Sequence, residues 1–444
     1  MTDTEKAAIG AAKSAGLVNL GNTCYMNSLV QCLRGMPELR KSLETAAPVS
    51  NPVATFAKSL VQTCDGLDKS GAAIAPHSLV ATMRRIYPQF MEGVAEGRPA
   101  QQDAEELYNA LAQSVQLALS EPSILPATNW ESILGLEMEE TVTCTESDAE
   151  AAIVKTEKVN KLVCNIQNAL TQGKNVDHMQ EGVRLGLEGQ LEKHSDVLGR
   201  NAIWNKTQKI KKLPRYLCFH FMRFFWKATP DSREHEGLKC KILRSVTYPE
   251  TFDAYEFCSS DLQKHLKANR DAEEKIIEEK LGLKRAKLSD TDEMDTSENV
   301  TAAAAASNSD KMDEATGSDD DDAEALQAAL AMSMQSSEGG ASSSVFSAGA
   351  LKAAATTNPF EPQGLPAGFT GMYELHSLVT HKGRSADGGH YIGWVRQEPG
   401  SDKWWQYNDD KVSESDIAKI KLLCGGGDLD IAYLAFYRFK DPKA

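Results

Sequence analysis

Two segments far apart in the chain hold the residue types of nucleophilic catalysis by a thiol. The first is GLVNLGNTCYMNSLVQCLRGMP, residues 16–37. Asn22 and Thr23 are good N-cap types, and Met26, Leu29, Val30 and Leu33 follow the i, i+3, i+4, i+7 spacing of a half-buried helix. Gly35 and Pro37 then stop it. Cys24 is thereby expected in the first turn, where unpaired N–H groups and the helix dipole favour a thiolate, the reactive form of cysteine. Cys32, about two turns deeper on the same helix, reads as an ordinary buried thiol.

A thiol needs a base, and YELHSLVTHKGRSADGGHYIGWV, residues 373–395, offers two histidines. The segment reads as strand, loop, strand, with Tyr373, Leu375, Ser377 and Val379 on one face. His381 ends the first strand and His390 opens the second beside two glycines. Spacing favours His390. A hairpin centred near Pro399 pairs residues whose numbers sum to 798, which sets Asn408 opposite His390. An amide there holds the imidazole's tautomer and aims it. A bulge would bring Asp409 forward instead, so both stay in play. The loop Lys382–Gly389 has the glycines and serine of a substrate-gating element.

Helices and strands must carry these groups to one place. Helical patterns dominate up to Leu119, and Tyr216–Trp226 (YLCFHFMRFFW) is dense enough for a buried strand. Residues 261–287 are charged and helical, with Glu and Lys three or four apart. The formal charge of the 444 residues is −15, yet Ser289–Glu338 alone holds fourteen acidic residues against one lysine. That stretch, with TAAAAAS and serine clusters, lacks the apolar surface to offset chain entropy and is expected to be a disordered acidic insertion over 289–370. It would split one catalytic domain into 16–288 and 371–440, behind a flexible leader at 1–15. No basic stripe and no run of 18 apolar residues is present, so neither nucleic acid nor a membrane span is expected. Nine scattered cysteines without a CxxC pair read as reduced thiols, hence cytoplasm, with the nucleus open.

GLxNLGNTCYMNS resembles the cysteine box of the ubiquitin-specific proteases, and the Y-x-L, H-x-G and GHY sequence with a following aromatic-[DN]-D resembles their histidine box. The resemblance covers about 16–287 and 371–439. It implies an α+β, papain-like fold of fingers, palm and thumb. It also implies a deubiquitinating reaction in which Cys24 attacks the carbonyl at ubiquitin's C-terminus, with His390 as base, Asn408 in the third position and Asn19 in the oxyanion hole. Relatives more often carry aspartate where Asn408 stands, which leaves its division of labour with Asp409 open. Gln101-Gln102-Asp103 resembles a further box, in which Gln101 and Asp103 would hold ubiquitin's C-terminal tail; helix capping by Asp103 explains the pattern equally well.

Many relatives bind zinc through two CxxC pairs; Cys144 and Cys164 alone fall short of four ligands, so no metal and no cofactor is expected. QQDA, CTESD, MRFFWK and GGGD with IAYLAFY resemble the proteasome-associated branch. That branch docks through an N-terminal ubiquitin-like domain for which the 15 residues before the catalytic region are too few. DDDDAEALQAALAMSMQ resembles a ubiquitin-interacting motif, a short helix over 323–336 presenting Leu326, Ala329 and Ser333 to ubiquitin. Partners implied are ubiquitin and polyubiquitinated proteins, with proteasome docking in question. The alternatives are a catalytically silent ubiquitin-binding adaptor and a hydrolase for another ubiquitin-like modifier.

Overall fold

The computed structural model describes residues 15–46, 50–92, 100–120, 129–166, 175–227, 238–280, 360–383, 388–426 and 430–441. The acidic stretch and its 323–336 motif lie outside these, as do residues 1–14 and residues 384–387 of the loop expected to gate the substrate. No helix among the described residues is long and apolar enough to cross a membrane.

Among the described residues the thumb is made by helices α1 (Cys24–Arg34), α2 (Pro37–Thr45), α3 (Ala54–Ser70), α4 (His77–Ile86) and α5 (Ala104–Ala118). Helix α1 starts and stops where its sequence pattern says, but every residue from Cys24 to Leu33 is buried rather than one stripe. The reason is a second partner. Beyond the other thumb helices, α1 lies directly on the central sheet, where a Cβ on Gly393 would stand 2.8 Å from the Ser28 carbonyl oxygen. Only glycine allows that approach.

Among the described residues fourteen strands follow: β1 (Leu136–Cys144), β2 (Ile153–Val159), β3 (Leu162–Cys164), β4 (Glu188–Ser195), β5 (Arg200–Lys212), β6 (Tyr216–Phe221), β7 (Phe224–Lys227), β8 (Leu238–Lys241), β9 (Thr251–Asp253), β10 (Met372–Lys382), β11 (His390–Arg396), β12 (Lys403–Asn408), β13 (Lys411–Asp416) and β14 (Asp430–Phe439). The palm is an eight-stranded sheet in the order β13-β12-β11-β10-β14-β6-β3, with β9 beside β10. Strand β14 pairs with β6 on one side and β10 on the other, so segments from both flanks of the acidic stretch share one sheet. The fingers are a separate sheet, β2-β1-β5-β4. At their tip Trp204 packs with Val142 and Ala202, its Nε1 donating to the Lys193 carbonyl at 3.0 Å. Cys144 adjoins this cluster, whereas Cys164 lies in the palm core; among the described residues no group of three or more metal-ligating side chains gathers.

The apolar run 216–226 is two strands, not one. Arg223 interrupts it, its guanidinium turning inward to backbone carbonyls just after the fully buried strand β6. The charged helix α6 (Ser260–Lys280) keeps its place. Leu262 and Leu266 bury one face, and Arg270 ties it to Asp253 at 2.6 Å and to the Thr370 carbonyl at 2.8 Å.

Candidate active site

The turn before α1 is built by Asn19, whose Oδ1 accepts the N–H groups of Gly21 at 3.0 Å and Thr23 at 3.1 Å. Asn22 takes the left-handed conformation, φ 53°, and is no cap. Thr23 occupies the N-cap position, but its hydroxyl accepts from Leu20 N at 2.9 Å and leaves the helix uncapped. The open amides are therefore left for the sulfur. N–H groups of Tyr391, Tyr25 and Cys24 itself point at Cys24 Sγ, and Gln101 Nε2 lies 3.9 Å away.

The expected standing thiolate does not follow. Cys24 is only 3% exposed, and burial, followed by the nearby Asp409 carboxylate, pushes its thiol up to about 11 against the pull of those N–H groups. In the free protein the sulfur is protonated at neutral pH and loses its proton only as pH rises toward that value. Inactivation by iodoacetamide is accordingly expected to accelerate steadily between about pH 6 and 9, since only the thiolate alkylates. A flat rate below pH 7 would show a standing thiolate–imidazolium pair instead.

Tyr391, whose amide meets the sulfur, directly follows His390 at the start of β11. His390 Nε2 lies 2.5 Å from Asn408 Oδ1. The hairpin register differs from the expected one. Gly393 faces Tyr407 and Trp394 faces Gln406, so partners sum to 800 and the turn centres on Gly400, at φ 71°. A slip of one residue would have turned Asn408 to the other face; this shift of two keeps it on the same face as a diagonal neighbour of His390. The pair survives for that reason.

Asp409, at φ 54°, turns the chain back beneath the imidazole. Its Oδ2 accepts from Asn19 Nδ2 at 2.9 Å and lies 3.9 Å from His390 Nε2, while Oδ1 accepts from Asn27 Nδ2 at 2.8 Å. Its backbone carbonyl takes the Leu17 N–H at 2.9 Å. One carboxylate thus fastens the cysteine segment to the histidine hairpin.

The family model for ubiquitin carboxyl-terminal hydrolase matches residues 15–437. The chain is 37% identical to ubiquitin carboxyl-terminal hydrolase 6 of Arabidopsis thaliana, over 98% of this chain and 80% of that protein. It is 32% identical to ubiquitin carboxyl-terminal hydrolase 6 of Schizosaccharomyces pombe, over 96% and 78%, and 29% identical to ubiquitin carboxyl-terminal hydrolase 14 of Caenorhabditis elegans, over 99% and 76%. The chain belongs to the ubiquitin carboxyl-terminal hydrolase family.

Within this hydrolase the remaining sequence candidates fall in different places. Asp103 caps α5, accepting Glu105 N at 2.7 Å, and both its oxygens take the Tyr433 hydroxyl, at 2.6 and 2.7 Å. Gln101 borders the sulfur, as above. His381 is a packing residue, edge-on to Tyr391 at 4.7 Å and to Phe224 at 5.3 Å. Leu326, Ala329 and Ser333 lie outside the described residues. Sequence reading missed Asn27; its place one turn after Cys24, on the same helix face, was the available signal.

Proposed function

We propose that Cys24, His390, Asn408, Asn19 and Asp409 carry out thiol-dependent hydrolysis of the bond after ubiquitin's C-terminal glycine. The observation that supports it most is the meeting of the α1 N-terminus with the first residues of β11, the sulfur receiving the amide next to His390. His390 takes the thiol proton at the moment of attack, in keeping with a sulfur that rests protonated. The new thiolate adds to the carbonyl carbon. An amide NH₂ has two donors; Asn19 spends one on Asp409 and turns the other to the oxyanion. His390 then gives its proton to the departing lysine amine, and the thioester remains. Water, deprotonated by His390, displaces the sulfur and frees ubiquitin's carboxylate. Asn408 fixes the imidazole's tautomer throughout.

Ubiquitin bearing a C-terminal alkyne electrophile tests this. A covalent adduct on Cys24 is expected. A silent adaptor would bind the probe without reacting, and a hydrolase for another modifier would prefer that modifier's probe.

The finer readings are proposals too. Residues 323–336, through Leu326, Ala329 and Ser333, would add avidity for ubiquitin chains. Gln101 and Asp103 would hold ubiquitin's tail, and association with proteasomes in cytoplasm or nucleus would follow the branch that the QQDA and MRFFWK segments resemble. Deleting 323–336 is expected to weaken binding of chains more than of monoubiquitin, measured by interferometry, and co-sedimentation with intact proteasomes reads the last point.

A further inference from the structure

Lys241 ends β8 opposite Phe224 of β7, yet its side chain leaves that hairpin. Its Nζ donates to the carbonyls of His381 at 2.7 Å and Gly383 at 2.8 Å. Those carbonyls bracket Lys382, and Lys382 is the residue that faces His390 across the β10–β11 ladder. This rung is the last of the ladder. Beyond it Gly383 and Gly389 form a narrow neck at φ 125° and 142°, where a Cβ on Gly389 would stand 2.4 Å from the Lys382 carbonyl oxygen. Terminal rungs open most readily, because nothing beyond them shares the load. His390 is on such a rung.

We propose that Lys241 is a positioning residue for the hydrolysis, its ammonium holding the terminal rung so that the His390 imidazole stays between Cys24 and Asn408. The proposal rests on His390 being the base. Two bonds from a charged donor are stronger than neutral ones and fix both carbonyls at once. The anchor itself is stiff, since the carbonyls of Ile242 and Arg244, next along the chain, accept from the buried Arg223 guanidinium. The charged groups acting on the ammonium are Arg223 from the β6–β7 link and Asp430 from β14. Burial and then Arg223 bring Lys241 down to about 8, with Asp430 opposing them. The ammonium therefore predominates at neutral pH and is lost as pH rises through about 8, leaving a weaker neutral donor.

The test compares Lys241→Met, Lys241→Arg and His390→Ala on a fluorogenic ubiquitin conjugate. Lys241→Met is expected to lower kcat about tenfold with KM within twofold, the size expected for losing a charged hydrogen bond. Lys241→Arg should recover most of the loss. The wild-type kcat should decline above about pH 8, and Lys241→Met should lack that decline. Should Lys241→Met melt well below the wild type, Lys241→Gln, which keeps neutral donors but no charge, serves in its place. Wild-type kcat in Lys241→Met, or an unchanged alkaline decline, overturns the proposal. Activity in His390→Ala overturns the assignment of the base instead, so the two failures are distinct.

Discussion

Turnover of a fluorogenic ubiquitin conjugate is expected to vanish in Cys24→Ala and to fall about 10²–10³-fold in Asp409→Ala, but only about tenfold in Asn408→Ala. The order inverts the simplest assignment, in which the residue touching the imidazole matters most. Asn408 makes one contact with His390, and Asp409 Oδ2 lies only 3.9 Å from the same nitrogen, near enough to replace it. No neighbour replaces Asp409. Its two oxygens hold the amides of Asn19 and Asn27, one in the turn before the nucleophile and one on the nucleophile's own helix. Without it Asn19 keeps the bonds to its Oδ1 but loses the one that holds its Nδ2, and the imidazolium formed during attack loses the nearest negative charge. Asp409→Asn removes the charge and one acceptor together: it keeps an oxygen for one amide but adds donors where an acceptor is needed, so it should resemble Asp409→Ala. Equal losses in Asn408→Ala and Asp409→Ala would refute the division of roles.

What sequence could show here depended on how local the cause was. Helix α1 was legible because spacing, Gly35 and Pro37 are all local signals, and so was the β10–β11 pair carrying His390. The turn centre was not, since EPGSDK admits several geometries; Gly400 at φ 71° selected the one observed. Thr23 looked like a cap because its type is right, but the Asn19 turn had already claimed its hydroxyl. The raised thiol of Cys24 could not be read from a helix start either. It follows from burial by the sheet and from a carboxylate 385 positions away in sequence. Lys241 and Arg223 carried no sign of these contacts, as each acts on carbonyls whose positions only the folded chain defines.

Arg223→Met should destabilise the protein by about 3–5 kcal/mol, the cost of unpairing a buried charged network. Replacing a buried charge by an apolar residue can be harmless when its partners are replaced with it. That escape is closed here. The guanidinium, 1% exposed, donates to the carbonyls of Ala432, Ile242, Arg244 and Cys424, which are main chain and remain in any variant. Methionine fills the volume but leaves four acceptors, each costing about 1–3 kcal/mol if water does not reach it. Two of these bonds are only partly buried, which keeps the total below the simple product. Arg223→Lys should recover little, because one ammonium on a flexible stem cannot span carbonyls from three segments as a planar fork does. Urea midpoints of the three proteins, read at constant m-value, decide the matter. A loss under 1 kcal/mol in Arg223→Met would mean that the carbonyls find water or each other, and that the break between β6 and β7 has some other cause.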